Sequence, residues 1–139
     1  MIRLRHLPWL VLLLVFLAAC GGGGKKFTGD DVVAAFQSAG LEAEDARPMT
    51  KDDYGLGPFV GTGTRFYIPS LCEGCGGRII ITDNNRDTEA VRTYYESLGQ
   101  SSAAFFSWIA VRGNIVLQIN GDLPEEEFRQ YEAALNGMK

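Results

Sequence analysis

Cys72-Glu73-Gly74-Cys75-Gly76-Gly77 is the most concentrated chemistry in the chain. Two thiols at this spacing suit a redox pair, half of a zinc site, or a local disulfide. A redox pair needs its first thiolate stabilised, for instance by a helix N-terminus, and here the motif reads as a turn leading into a strand. A structural zinc site takes four ligands, and the domain around the motif supplies only these two thiols and no histidine. The favoured reading is therefore a Cys72–Cys75 disulfide pinning a hairpin, a form expected outside the cytoplasm. Closing so short a loop contributes roughly 2 kcal/mol in the loop-entropy model.

An absence bounds the chemistry further. The one histidine is His6, close to the start of the chain. A domain without imidazole cannot build Ser-His-Asp or Cys-His nucleophilic sites. Carboxylate pairs, Tyr or Lys remain for acid–base work, but no catalytic motif stands out. The expectation is a non-enzymatic domain with no catalytic residue, metal or cofactor. Asp52 and Asp53, followed by Tyr54 in a glycine-rich stretch, are candidates for holding a cation or a ligand. They lack the spaced ligands of a calcium loop, and a plain solvated loop is the competing reading. Phe105, Phe106 and Trp108 read as core, except that a Trp on a helix-free sheet face would mark a binding surface.

The N-terminal residues say where such a domain would work. Arg3 and Arg5 precede an unbroken apolar run from Leu10 to Ala19. About 20 apolar residues are needed to span a bilayer as a helix, so the run reads instead as the h-region of a signal peptide over residues 1–19. Leu17-Ala18-Ala19-Cys20, followed by Gly21, resembles the lipobox of a bacterial lipoprotein. That resemblance implies diacylglycerol and acyl chains on Cys20, cleavage just before it, and a membrane-anchored product on the extracytoplasmic side. Each buried methylene contributes about 0.8 kcal/mol, and two or more chains make a stable anchor. Residues 20–26 then form the lipidated cysteine and a glycine-rich tether, whose reach as a flexible coil is only about 12–15 Å.

Cleavage would leave 120 residues, and residues 27–139 suit a single domain. The formal charge of −4 moves to near −6 without the two arginines, which argues against a nucleic-acid partner. Thr28 with Asp31 has capping-box spacing, and Val32, Ala35, Phe36 and Ala39 share a helical stripe that Gly40 and Leu41 would close. Residues 41–49 are at most an edge strand, and Thr50–Gly63 reads as a long loop. Strands are expected over 64–68 and 78–82, joined as a hairpin across the cysteines. Asp83-Asn84-Asn85 then offers N-cap oxygens to a helix on which Val91, Tyr94, Tyr95 and Leu98 share a face, ending at Gly99. A strand over 103–111, a Gly113-Asn114 turn and a strand bearing Ile115, Leu117 and Ile119 form a second hairpin. Asp122 with Glu125 suggests a capping box for a last helix that buries Phe128, Tyr131 and Leu135.

These elements give an α+β domain: a mainly antiparallel sheet of four to five strands, from two hairpins, with about three helices packed on one face. Both strand faces of 105–111 are apolar, so the face away from the helices needs a cover: the first helix, the 50–63 loop or a partner. If the loop covers it, an apolar groove beside Asp52, Asp53 and Trp108 is the default ligand site. From Phe27 onward the chain also resembles a group of small bacterial lipoproteins of unassigned function. The stretches that carry this are GDDVVAAFQSAGLEAEDARPMTKDDYG, YYESLG, FFSWIAVRGNIVLQINGDLP and YEAAL. The resemblance implies an exported, membrane-tethered domain and brings no catalytic residue with it. The leading expectation is a binding domain for an envelope protein or a small ligand. The alternative is a thiol redox or metal-handling lipoprotein using Cys72 and Cys75.

Overall fold

The computed structural model describes residues 26–139. The expected signal peptide, the lipidated Cys20 and the tether up to residue 25 lie outside the described residues. Residues 26–139 form an α+β fold. Its five strands make one antiparallel sheet: β1 (Glu44–Pro48), β2 (Thr62–Tyr67), β3 (Gly76–Ile81), β4 (Ser107–Arg112) and β5 (Ile115–Asn120), in the order β1-β2-β3-β5-β4. Helices α1 (Gly29–Ser38), α2 (Lys51–Tyr54), α3 (Asn85–Ser101) and α4 (Glu125–Asn136) complete it.

Local chemistry explains most boundaries. At the start of α1 the Thr28 hydroxyl accepts from the Asp31 amide, and the Asp31 carboxylate accepts from the Thr28 amide. Its end is a Schellman motif: Gly40 takes φ +77°, its amide donates to Gln37 O, and the Leu41 amide reaches back to Phe36 O. Asn84 caps α3 through the Asp87 amide. Gly113, at φ +57°, makes the tight turn between β4 and β5.

The expected arrangement of the helices is corrected. The stripes of α3 and α4 do not share a face of the sheet. α1 and α4 cover one face, where Val32, Phe36, Phe66, Ile79, Leu117, Ile119, Phe128, Tyr131 and Leu135 form the larger core. α3 lies on the other, where Val91 and Tyr95 pack with Ile80, Val116 and Tyr54. A helix stripe states that a helix is buried, not against which side. The central strands carried the clue, because Ile79 and Ile80, or Leu117 and Val116, are apolar on both faces, as in a sheet covered twice.

Five smaller expectations also change. The 50–63 loop contains the single helical turn α2, and β2 begins two residues earlier than expected, at Thr62. α3 runs through Gly99 to Ser101, and Gly99 faces Phe106. Residues 103–105 form a 3₁₀ turn rather than the start of β4, with the Ala104 amide held by the Ser102 hydroxyl. α4 has no side-chain cap; the Asp122 amide instead donates to Asn120 Oδ1, leaving Pro124 at the helix start.

Candidate functional site

The face beneath α3 is only partly apolar. α3 covers the row in which Ile80 of β3 stands beside Val116 of β5. The next row on the same face reads Arg47, Arg65, Arg78, Gln118 and Ile109 across β1, β2, β3, β5 and β4. Three guanidiniums therefore stand side by side on neighbouring strands. Arg47 belongs to the row because of a bulge. β1 uses three residues from Glu44 to Arg47 where β2 uses two from Tyr67 to Arg65, with Asp45 at φ +48° in the extra step. Without it Arg47 would pair with Thr64 and point to the opposite face.

Each arginine of the row is fixed differently. Arg47 grips the Asp53 carboxylate with both terminal nitrogens, at 2.7 and 3.0 Å, and also donates to the Tyr67 hydroxyl. Hydrogen bonds from Arg47, and then those from the Thr50 amide and hydroxyl, hold the Asp53 carboxyl well below the usual carboxylate range, against the opposing effect of burial. Arg65 donates to the carbonyls of Gly77 and Gly74 and lies over the Tyr67 ring. Burial, and next the Arg78 charge beside it, lower the Arg65 pKa from its ordinary value. Arg78 donates from Nε to the backbone carbonyl of Asp53, at 2.9 Å, and from Nη1 to Gln118 Oε1, also at 2.9 Å. Its Nη2 makes no hydrogen bond among the described residues, and Arg78 forms no ion pair among them.

Above Arg78 and Gln118 lies a pocket of about 230 Å³. α2 walls one side with Asp52, Asp53 and Tyr54, and the turn after α3 walls another with Ala104, Phe105 and Phe106. Tyr94, Tyr95 and Leu98 of α3 line a third side, and Asn120 and Ser107 line the pocket as well. Burial pushes the Tyr95 phenol up from its ordinary value, so it stays a neutral hydroxyl at the wall. The floor is polar, and Gln118 is only 6% exposed. The mouth is apolar: Phe105 is 60% exposed, and Leu56, just beyond Gly55, is 96% exposed.

Of the expected site residues, the structure brings Asp52 and Asp53 to this pocket and places Trp108 elsewhere. Trp108 sits on the α1/α4 face, stacked on Phe128 with ring centroids 5.3 Å apart, and its indole N–H donates to Leu123 O at 2.7 Å. It borders a separate edge groove of about 410 Å³ with Tyr95, Gly99 and Ile109. Nor are Asp52 and Asp53 a carboxylate pair: Asp53 is taken by Arg47, while Asp52 stands exposed at the rim. Arg47, Arg78, Gln118 and Asn120 were not singled out from the sequence. The one signal for them was a lone arginine in Gly76-Gly77-Arg78-Ile79-Ile80-Ile81 and a lone glutamine in Ile115–Ile119. A polar residue in the middle of a buried strand needs a partner, and here the two are each other's.

Cys72 and Cys75 are joined by a disulfide, with Cα atoms 5.1 Å apart, in the turn between β2 and β3. Cys75 is buried and Cys72 is exposed. No helix starts at this turn. Among the described residues no group of three or more His, Cys, Asp or Glu stands where it could hold a metal ion. The chain has no significant match among protein-family models, curated proteins or solved structures.

Proposed function

We propose that the chain is a lipid-anchored extracytoplasmic domain that binds a small ligand without transforming it, and that the ligand enters the pocket between α2, α3 and the 3₁₀ turn. The observation that carries this reading is the fixed polar floor. Arg78 and Gln118 are held in place in a sheet face that α3 leaves open, where a domain built for packing alone would bring apolar side chains. The lipobox-like Leu17–Cys20 stretch and its apolar run support the anchor. Among the described residues no helix is long and apolar enough to cross a membrane. The thiol redox alternative lacks a helix N-terminus beside Cys72 to stabilise a thiolate.

Two experiments test the two halves. Cys20→Ser should abolish incorporation of labelled palmitate and leave an unprocessed or released product; equal labelling of wild type and variant would remove the anchor. A fragment screen on the full chain, read on backbone amide resonances, should gather its hits on Asp52–Gly55, Tyr94–Leu98 and Ala104–Ser107. Hits scattered over the surface, or centred on the Trp108 edge groove, would remove the pocket as the site.

A further inference from the structure

We infer that the pocket takes an anionic group, a carboxylate or a phosphate, seated on Arg78 and carried on a short apolar body that packs against Phe105, Tyr94 and Leu98. This rests on the reading of the pocket as a ligand site and adds the ligand's chemical class.

Charge is the first ground. The row holds three guanidiniums, and among the described residues the only carboxylate bonded to any of them is Asp53, which Arg47 occupies. Arg65 donates to two carbonyl oxygens, and no carboxylate is bonded to it among the described residues. Among the described residues Arg78 is likewise bonded only to a carbonyl and an amide oxygen. Two cations thus stand adjacent with no carboxylate bonded to either, on a chain whose formal charge is −4. A half-buried surplus of that sign, in a protein otherwise acidic, is complementary to an anion.

Geometry is the second. A guanidinium held at Nε and Nη1 has one orientation, so its remaining donors at Nη2 are preorganised rather than mobile. An anionic oxygen, of a carboxylate or of a phosphate, is the acceptor that such a charged donor binds most strongly. Asn120 and Ser107 line the same pocket and bring further groups able to donate hydrogen bonds. The opposing charge is Asp52, exposed at the rim on α2, which repels an incoming anion. The apolar part follows from the mouth. Phe105 and Leu98 line the pocket, and Leu56 follows Gly55 at its edge.

Titration of the full chain, followed through the Arg78 Nε–H and Gln118 side-chain amide resonances, tests this with hexanoate, hexyl phosphate, hexanol and hexylammonium. Both anions should bind more tightly than hexanol, and hexylammonium least. Arg78→Gln should weaken hexanoate by about tenfold or more, and Asp52→Asn should tighten it about two- to threefold. Asp52 is exposed, so its variant keeps the test open if Arg78→Gln fails to fold. Acetate and inorganic phosphate separate the sources of the anion. Binding of these as tight as the hexyl compounds assigns a free ion and removes the apolar body, whereas a clear gain from the chain assigns an amphiphile. Hexanol or hexylammonium binding in the pocket as tightly as hexanoate would overturn the anion while keeping the pocket as a site. No shift from any probe would overturn both.

Discussion

Asp53 does two jobs with different atoms. Its carboxylate receives Arg47 and the Thr50 cap, and its carbonyl receives Arg78 Nε. One residue thereby ties α2 to β1 and orients the arginine of the pocket floor. Because the folded-state pKa is depressed, the stabilisation is present above the ordinary carboxylate range and is lost as pH falls below it. Asp53→Asn should therefore lower Tm at pH 7, and the gap to wild type should close as pH drops below about 4. A gap that stays constant from pH 7 to pH 2 would show that the charge of Asp53 is not what holds α2. Trp108 belongs to stability rather than to binding. Stacked on Phe128 and bonded to Leu123 O, it should cost about 2–3 kcal/mol on truncation to Ala, less than a fully buried aromatic. Urea unfolding of Trp108→Ala measures this; an unchanged midpoint would contradict it.

At the scale of elements, the β2–β3 hairpin shows how little its disulfide has to do. The strands pair from Thr62–Ile81 to Tyr67–Gly76, the Ile68 amide donates to Cys75 O, and Arg65 donates to Gly74 O inside the turn. Replacing both cysteines with serine should keep the fold and lower stability by no more than about 2 kcal/mol. Loss of the amide dispersion of a folded protein would show that the bridge is essential instead. The same elements mark what the sequence could tell. The cap at Thr28, the Gly40-Leu41 stop, the α3 stripe and the Gly113-Asn114 turn are local signals, and each was legible. α2 is one turn long, too short for a periodic pattern. Phe105 and Phe106 are as apolar as strand residues, so the 3₁₀ turn there was hidden. The arginine row was illegible for a stronger reason. Arg78 and Gln118 are 40 positions apart, and Arg47 joins them only through a bulge that no residue pattern announces.

The molecule as a whole is a sheet with two unequal faces. α1 and α4 close one face with a continuous apolar core, while α3 covers only part of the other and leaves the arginine row open beneath α2. That inequality separates stability from binding: substitutions under α1 and α4 should act on unfolding, and those at Arg78 and Asp52 chiefly on ligand. The measurement that tests this division most directly is an amide shift map of the full chain titrated with hexanoate. Saturable movement is expected at Gly55, Ser107, Gln118 and Asn120, with Val33, Leu123 and Phe128 on the opposite face unmoved. Uniform or non-saturable movement, or a response centred on Phe128 and Trp108, would contradict the assignment of the second face as the binding face.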